Sequence, residues 1–275
     1  MAKKILLAAG CSYTEENFFS MDNTIPDEQR GGWPMWPAIL GDELGLETIN
    51  VGLAGAGSDH MFNSIVKQIS IYGDRIDTVA VMWSASERFE LFNWRVNPPV
   101  ELKLAYEPSA NADNADPFGF MDEVWGKKLS VAYWESNRFN KNVYKNMLEN
   151  HLSKILAIMK ICKAQGIKVI MYQGVMPFDN SAYNYKGTSL KSRIKNYQEV
   201  VKWWFSSPMF AEIDRDHINF IGWPIFTELG GHYYDSSPAS SRKNKRVSLW
   251  DAHPNALGQE TIAETFISEY REIYG

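Results

Sequence analysis

Three polar side chains in two short motifs carry what nucleophilic chemistry needs. Ser12 lies in Gly10-Cys11-Ser12-Tyr13-Thr14, and Asp251 and His253 lie in Asp251-Ala252-His253-Pro254-Asn255. A serine hydroxyl is a weak nucleophile until a neighbouring imidazole takes its proton, and the imidazole in turn needs a third group to hold its tautomer. Ser12 as nucleophile, His253 as base and Asp251 as orienter supply that set. In an extended segment residues two apart share a face, so Asp251 can reach the His253 ring. Cys11, beside Ser12, is an alternative thiol nucleophile, although a cysteine next to a strand is most often a small buried apolar residue. The chemistry works only if folding joins the two ends of the chain.

The pattern along the chain supplies the elements for that. Lys3–Ala9 reads as a buried strand that breaks into the small-residue turn holding Ser12. A helix at Trp36–Leu44, a strand at Glu47–Val51, a loop with Gly52, Gly55 and Gly57, a helical stripe at His60–Ile69 and a strand at Asp77–Trp83 follow. A long helix is expected from about Asn142 to Gln165, ending at Gly166, with further strands at Lys168–Tyr172 and His217–Gly222. His253 would precede a terminal amphipathic helix starting at Ala256. Alternating strands and helices imply an α/β domain with a five-stranded parallel sheet. One domain over 1–275 is expected, with an irregular insertion at about 89–141 and a surface loop at about 230–248.

Composition narrows the partners. A net charge of −5 gives no basic field for nucleic acid. Two cysteines make no disulfide framework, and no Cys/His spacing suggests zinc. His60, His151, His217 and His232 lack paired ligand spacing, with His232 alone in a loop near the terminal motif. No stretch approaches the roughly 20 apolar residues of a membrane span, and the apolar run at Ile5–Ala9 is too short for a signal core. A cytoplasmic protein is the default expectation, with other routes of export left open. The sequence sets no oligomeric state.

Gly10-Cys11-Ser12-Tyr13-Thr14, Asn50-Val51-Gly52-Leu53-Ala54-Gly55 and Asp251-Ala252-His253-Pro254, in this order, resemble the motifs of the SGNH (GDSL-like) hydrolases. The resemblance implies a three-layer α/β/α sandwich with a flavodoxin-like sheet, and ester or acyl hydrolysis through a serine nucleophile without metal or cofactor. Position by position, Ser12 matches the nucleophile and first oxyanion-hole donor, Gly55 the second donor, His253 the base and Asp251 the acid. A glycine at the second donor lets the backbone approach the substrate oxygen closely.

Three departures stand out. Cys11 replaces the Asp of Gly-Asp-Ser. Asp251 precedes His253 by two residues rather than three. Ser84-Ala85-Ser86-Glu87 stands where the family has Gly-x-Asn-Asp, so Ser86 replaces the Asn that donates a third oxyanion hydrogen bond. Trp83, Trp94 and Trp250 are candidates for stacking on a sugar ring or acyl chain, although a core position is the first reading of Trp83, and Arg88 is a candidate for a substrate carboxylate or equally for a surface salt bridge with a nearby Glu. The expected substrate is a small ester such as an acetylated carbohydrate. The same features also fit an O-acyltransferase, or a ligand-binding protein that kept the scaffold and lost the chemistry.

Overall fold

The computed structural model describes residues 3–84, 86, 89–93, 100–104, 141–174, 202–217, 220, 245–248, 251 and 253–275. Its centre is a parallel sheet in the order β2-β1-β3-β6, formed by β1 (Ile5–Ala9), β2 (Glu47–Asn50), β3 (Ile76–Trp83) and β6 (Lys168–Gln173). β1 and β3 are apolar almost throughout, and every residue of β1 is buried. A strand without a solvent face belongs inside a parallel sheet covered on both sides.

The cover comes from α1 (Trp36–Leu44), α2 (Ser58–Tyr72), α3 (Lys141–Ala164), α4 (Pro208–Asp216) and α5 (Ala256–Tyr274). α1 packs with α5, and α2 with α3, giving two helical layers about the sheet. The Trp36 ring of α1 stacks on Phe266 of α5, centroids 4.2 Å apart. α3 closes as its sequence predicts: Gly166 takes φ +68°, and Ile167 N–H donates back to the Cys162 carbonyl at 2.9 Å.

Four of the five expected strands lie in the sheet. The fifth, at His217–Gly222, falls largely outside the described residues, although the Phe220 carbonyl accepts the Gln173 N–H at 2.9 Å. The insertion differs from expectation at its start, where β4 (Phe89–Asn93) and β5 (Val100–Leu104) form an antiparallel pair, Phe89 opposite Leu104 and Asn93 opposite Val100. Val100-Glu101-Leu102-Lys103-Leu104 alternates apolar and polar residues, the period of a strand, within a stretch otherwise dominated by Asn, Pro and Asp. The rest of the insertion, and the 230–248 loop up to residue 244, lie outside the described residues. Among the described residues no helix is long and apolar enough to cross a membrane.

Candidate active site

The turn after β1 is shaped by Thr14. Thr14 N–H and Glu15 N–H both donate to the Cys11 carbonyl, at 2.8 and 3.1 Å. The buried Thr14 side chain sits against Gly10 and Gly52, where a Cβ would come within 2.0 Å of Thr14 Oγ1 and 2.8 Å of Thr14 Cβ, respectively. Trp36 Nε1 donates to Thr14 Oγ1 at 3.1 Å, and Asn50 Nδ2 to the Thr14 carbonyl. The two glycine motifs thus interlock, and the Leu53 N–H to Gly10 carbonyl bond, 3.1 Å, ties their loops. Cys11 is fully buried at the base of this turn.

The terminal motif is braced from two sides. Residues 245–248 run against it, with Val247 N–H donating to the His253 carbonyl at 2.9 Å and Asn255 N–H to the Lys245 carbonyl at 3.1 Å. Asn255 caps α5 by accepting Gly258 N–H at 3.1 Å, and its Nδ2 donates to the Arg246 carbonyl at 2.9 Å. Gln259, fully buried on the first turn of α5, accepts Trp36 N–H at 3.0 Å and donates to the Tyr13 carbonyl at 3.2 Å. Gln259 therefore joins the last helix to the turn carrying Ser12.

Those supports bring Ser12 Oγ to 2.8 Å from His253 Nε2. On the far side of the ring, His253 Nδ1 pairs with Asp251 Oδ1. The same oxygen accepts the His253 backbone N–H at 2.9 Å. The carboxylate thus folds forward onto the N–H two residues on, as in an Asx-type turn. That turn makes a two-residue spacing sufficient. Phe18 lies against the His253 ring at 4.6 Å and Tyr13 meets it edge-on at 5.1 Å.

Burial, the largest influence on Asp251, pushes its carboxyl up. The hydrogen bond and charge of His253, the Ser20 hydroxyl and the His253 N–H together outweigh burial and hold it at about 2. Asp251 is therefore a carboxylate at neutral pH, which keeps the ring proton on Nδ1 and leaves the Nε2 lone pair facing the Ser12 hydroxyl.

Two further groups reach Asp251 that the sequence did not single out. Ser20 donates its hydroxyl to Asp251 Oδ2. Ser248 Oγ accepts the Asp251 N–H at 3.0 Å and donates to Asp22. No local pattern marks Ser20, since it and Asp251 are 231 positions apart.

Gly55 takes φ +72°, a conformation that favours glycine. Among the described residues, neither Ser12 N–H nor Gly55 N–H donates to a protein acceptor. Ser84 ties the end of β3 to this loop, its Oγ donating to the Ala56 carbonyl at 2.7 Å. Ser84 is held from behind, because Gln173 Nε2 donates to its carbonyl at 2.7 Å and Gln173 Oε1 pairs with His151 Nε2 at 2.8 Å. Ser86 is buried nearby in sequence.

Trp83 is not a stacking surface. It is completely buried in the middle layer, its Nε1 directed at Met171 Sδ at 3.3 Å. Arg88, Trp94, Trp250 and His232 lie outside the described residues. Among the described residues no group of three or more His, Cys, Asp or Glu is placed to hold a metal ion.

No family model matches the chain, and no curated protein matches it. Solved structures do. The acetylxylan esterase Axe2 from Geobacillus stearothermophilus is 14% identical with a TM-score of 0.38, covering 97% of this chain and 93% of that one. A catalytic mutant of the same enzyme has a TM-score of 0.41 at 14% identity and the same coverage. LAE5, an alpha/beta hydrolase enzyme from the metagenome of Lake Arreo, Spain, is 14% identical with a TM-score of 0.38, covering 98% of this chain and 95% of that one.

Proposed function

We propose that the chain is a serine hydrolase that cleaves a small ester through an acyl-enzyme intermediate. The observation that carries this reading is the 2.8 Å contact between Ser12 Oγ and His253 Nε2, with Asp251 on the other ring nitrogen. Ser12 Oγ attacks the acyl carbonyl while its proton passes to His253 Nε2. Collapse of the tetrahedral intermediate breaks the C–O bond, and the imidazolium returns the proton to the departing alcohol. A water molecule then attacks the acyl-serine by the same route and releases the acid. Asp251 stays ionised and stabilises the imidazolium at both steps.

The developing oxyanion is assigned to the N–H groups of Ser12 and Gly55, with the Ser86 hydroxyl as third donor. One such donor is worth about 10²- to 10³-fold in turnover, so a hydroxyl in place of an amide makes the third position the weakest part of the hole. The substrate we assign is an acetyl ester of a small alcohol or carbohydrate. With Trp83 in the core, any aromatic platform for a sugar would come from Trp94 or Trp250.

A phosphonylating serine reagent tests the mechanism, and an acetyl-ester panel, from an activated phenyl ester to an acetylated oligosaccharide, tests the substrate. A single adduct on Ser12, located by mass spectrometry, together with hydrolysis of the panel, is the expected result. A protein inert to both reagent and panel fits instead a ligand-binding protein on the same scaffold. Acylated sugar appearing when a sugar acceptor is supplied would identify an O-acyltransferase.

A further inference from the structure

Ser20 is almost completely buried, on the loop that follows the Ser12 turn and far in sequence from the terminal motif. Its backbone is fixed, since Ser20 N–H donates to the Arg30 carbonyl at 2.8 Å and the neighbouring Phe19 bridges to Gly31. Its hydroxyl has one proton to donate and two lone pairs with which to accept, and the surroundings decide where the proton points. Asp22 N–H points at Ser20 Oγ at 3.1 Å, so that oxygen accepts there. The hydroxyl proton is left for Asp251 Oδ2, the carboxylate oxygen that His253 does not use.

The other side of Asp251 is fixed by the same loop. Asp22 accepts the Ser248 hydroxyl proton, so Ser248 Oγ offers a lone pair to Asp251 N–H, 3.0 Å away. Thr24 completes the Asp22 cradle, its N–H and hydroxyl donating to Asp22 Oδ1 at 2.9 and 2.6 Å. Every hydrogen in this network therefore has a defined direction: the Ser20 proton runs from the loop to the acid, while the Asp251 N–H and the Ser248 hydroxyl run from the acid back to Asp22.

We propose that Ser20 is a positioning residue for the relay, its hydroxyl locking Asp251 Oδ2 so that Oδ1 stays on the His253 Nδ1–H. This rests on the serine hydrolase reading above. Without the Ser20 proton Oδ2 loses its donor and only the two His253 contacts to Oδ1 hold the carboxylate, so it turns more easily about its Cβ–Cγ bond and the imidazole has a less fixed partner when it becomes charged. Substrate binding needs neither group, so the loss falls on turnover.

The experiment compares wild type with Ser20→Ala, Ser20→Thr and, should the alanine variant not fold, Ser20→Cys, using an activated acetyl ester. Ser20→Ala is expected to lower kcat about 10- to 100-fold, the value of one hydrogen bond to a charged group, with KM unchanged. Ser20→Thr, which keeps the hydroxyl, should recover most of it. The downfield proton resonance of His253 Nδ1–H, assigned by its loss in His253→Gln, should broaden by exchange in Ser20→Ala and sharpen again in Ser20→Thr.

An active wild type, labelled at Ser12, whose Ser20→Ala variant keeps both kcat and a sharp resonance overturns this proposal alone. A fall in kcat with the resonance unaltered overturns it too, since that is what a merely loosened fold gives. A wild type that is inert and unlabelled at Ser12 overturns the hydrolase reading and this proposal with it.

Discussion

Replacing Ser12 by Ala removes one oxygen from a turn whose backbone bonds run through Cys11 and Thr14, so the turn survives while the nucleophile does not. Ser12→Ala is expected to abolish ester hydrolysis and phosphonylation with the melting temperature unchanged. Cys11→Ala should stay labelled at Ser12 and keep most of the activity, because the Cys11 thiol is fully buried and its useful group is its carbonyl. A Cys11→Ala variant as dead as Ser12→Ala, with both folded by circular dichroism, would reverse the roles at this turn. Ser12, Asp251 and His253 were legible because each sits in a local motif whose order along the chain carries information. Ser20 was not, because its partner is 231 positions away and nothing beside it announces the contact. Trp83, weighed both as a core residue and as a stacking candidate, is a core residue: β3 is buried on both faces, so it has no exposed side to which an aromatic could be assigned.

At the scale of elements, the start of α5 aims His253. Asn255 satisfies the Gly258 N–H and the Arg246 carbonyl at once, two residues after His253. Asn255→Ala is expected to destabilise the fold by about 1 kcal/mol, the usual cost of a lost cap, and to lower turnover as the His253 segment loosens from residues 245–248. Asn255→Asp keeps the cap acceptor but loses the donor to Arg246, so urea unfolding should place it between wild type and Ala. The four central strands and the main helices were legible in the sequence because their periodicity agrees with their burial. The β4–β5 pair was less so, since the pairing depends on β4 meeting β5 across a stretch rich in turn formers, and alternation within one strand does not name its partner. The Ser84 tie to the Gly55–Ala56 loop was not legible, because its partner is a backbone carbonyl that leaves no trace in residue type.

For the whole molecule, two buried histidines set the response to acid. Burial, the dominant influence, pulls His151 and His217 down to about 4. Gln173 Nε2 is committed to the Ser84 carbonyl, so its Oε1 must accept from His151 Nε2–H, and among the described residues the buried Nδ1 has no partner. A proton added there would have no acceptor. Because the unfolded histidines titrate near 6.5, the unfolded state binds more protons between about pH 4 and 6.5, and stability must rise with pH across that window. The loss on acidification is on the order of 3 kcal/mol per histidine at most. Urea midpoints measured from pH 7 to 4 should fall steadily, and His217→Leu should flatten about half of the slope. Asp251 acts lower, its contribution present above about pH 4 and lost as the pH falls towards 2. The contact at the centre of the site also bears on the order of events in folding. Ser12 and His253 are separated by 241 positions, so their meeting closes nearly the whole chain into one loop, an entropic cost met only after the sheet exists and α5 docks on α1 through Gln259 and Trp36. Reactivity is then the last native property to appear: during refolding from urea, the far-ultraviolet signal should recover first and the capacity for phosphonylation afterwards, making a covalent serine probe a clock for the final docking step.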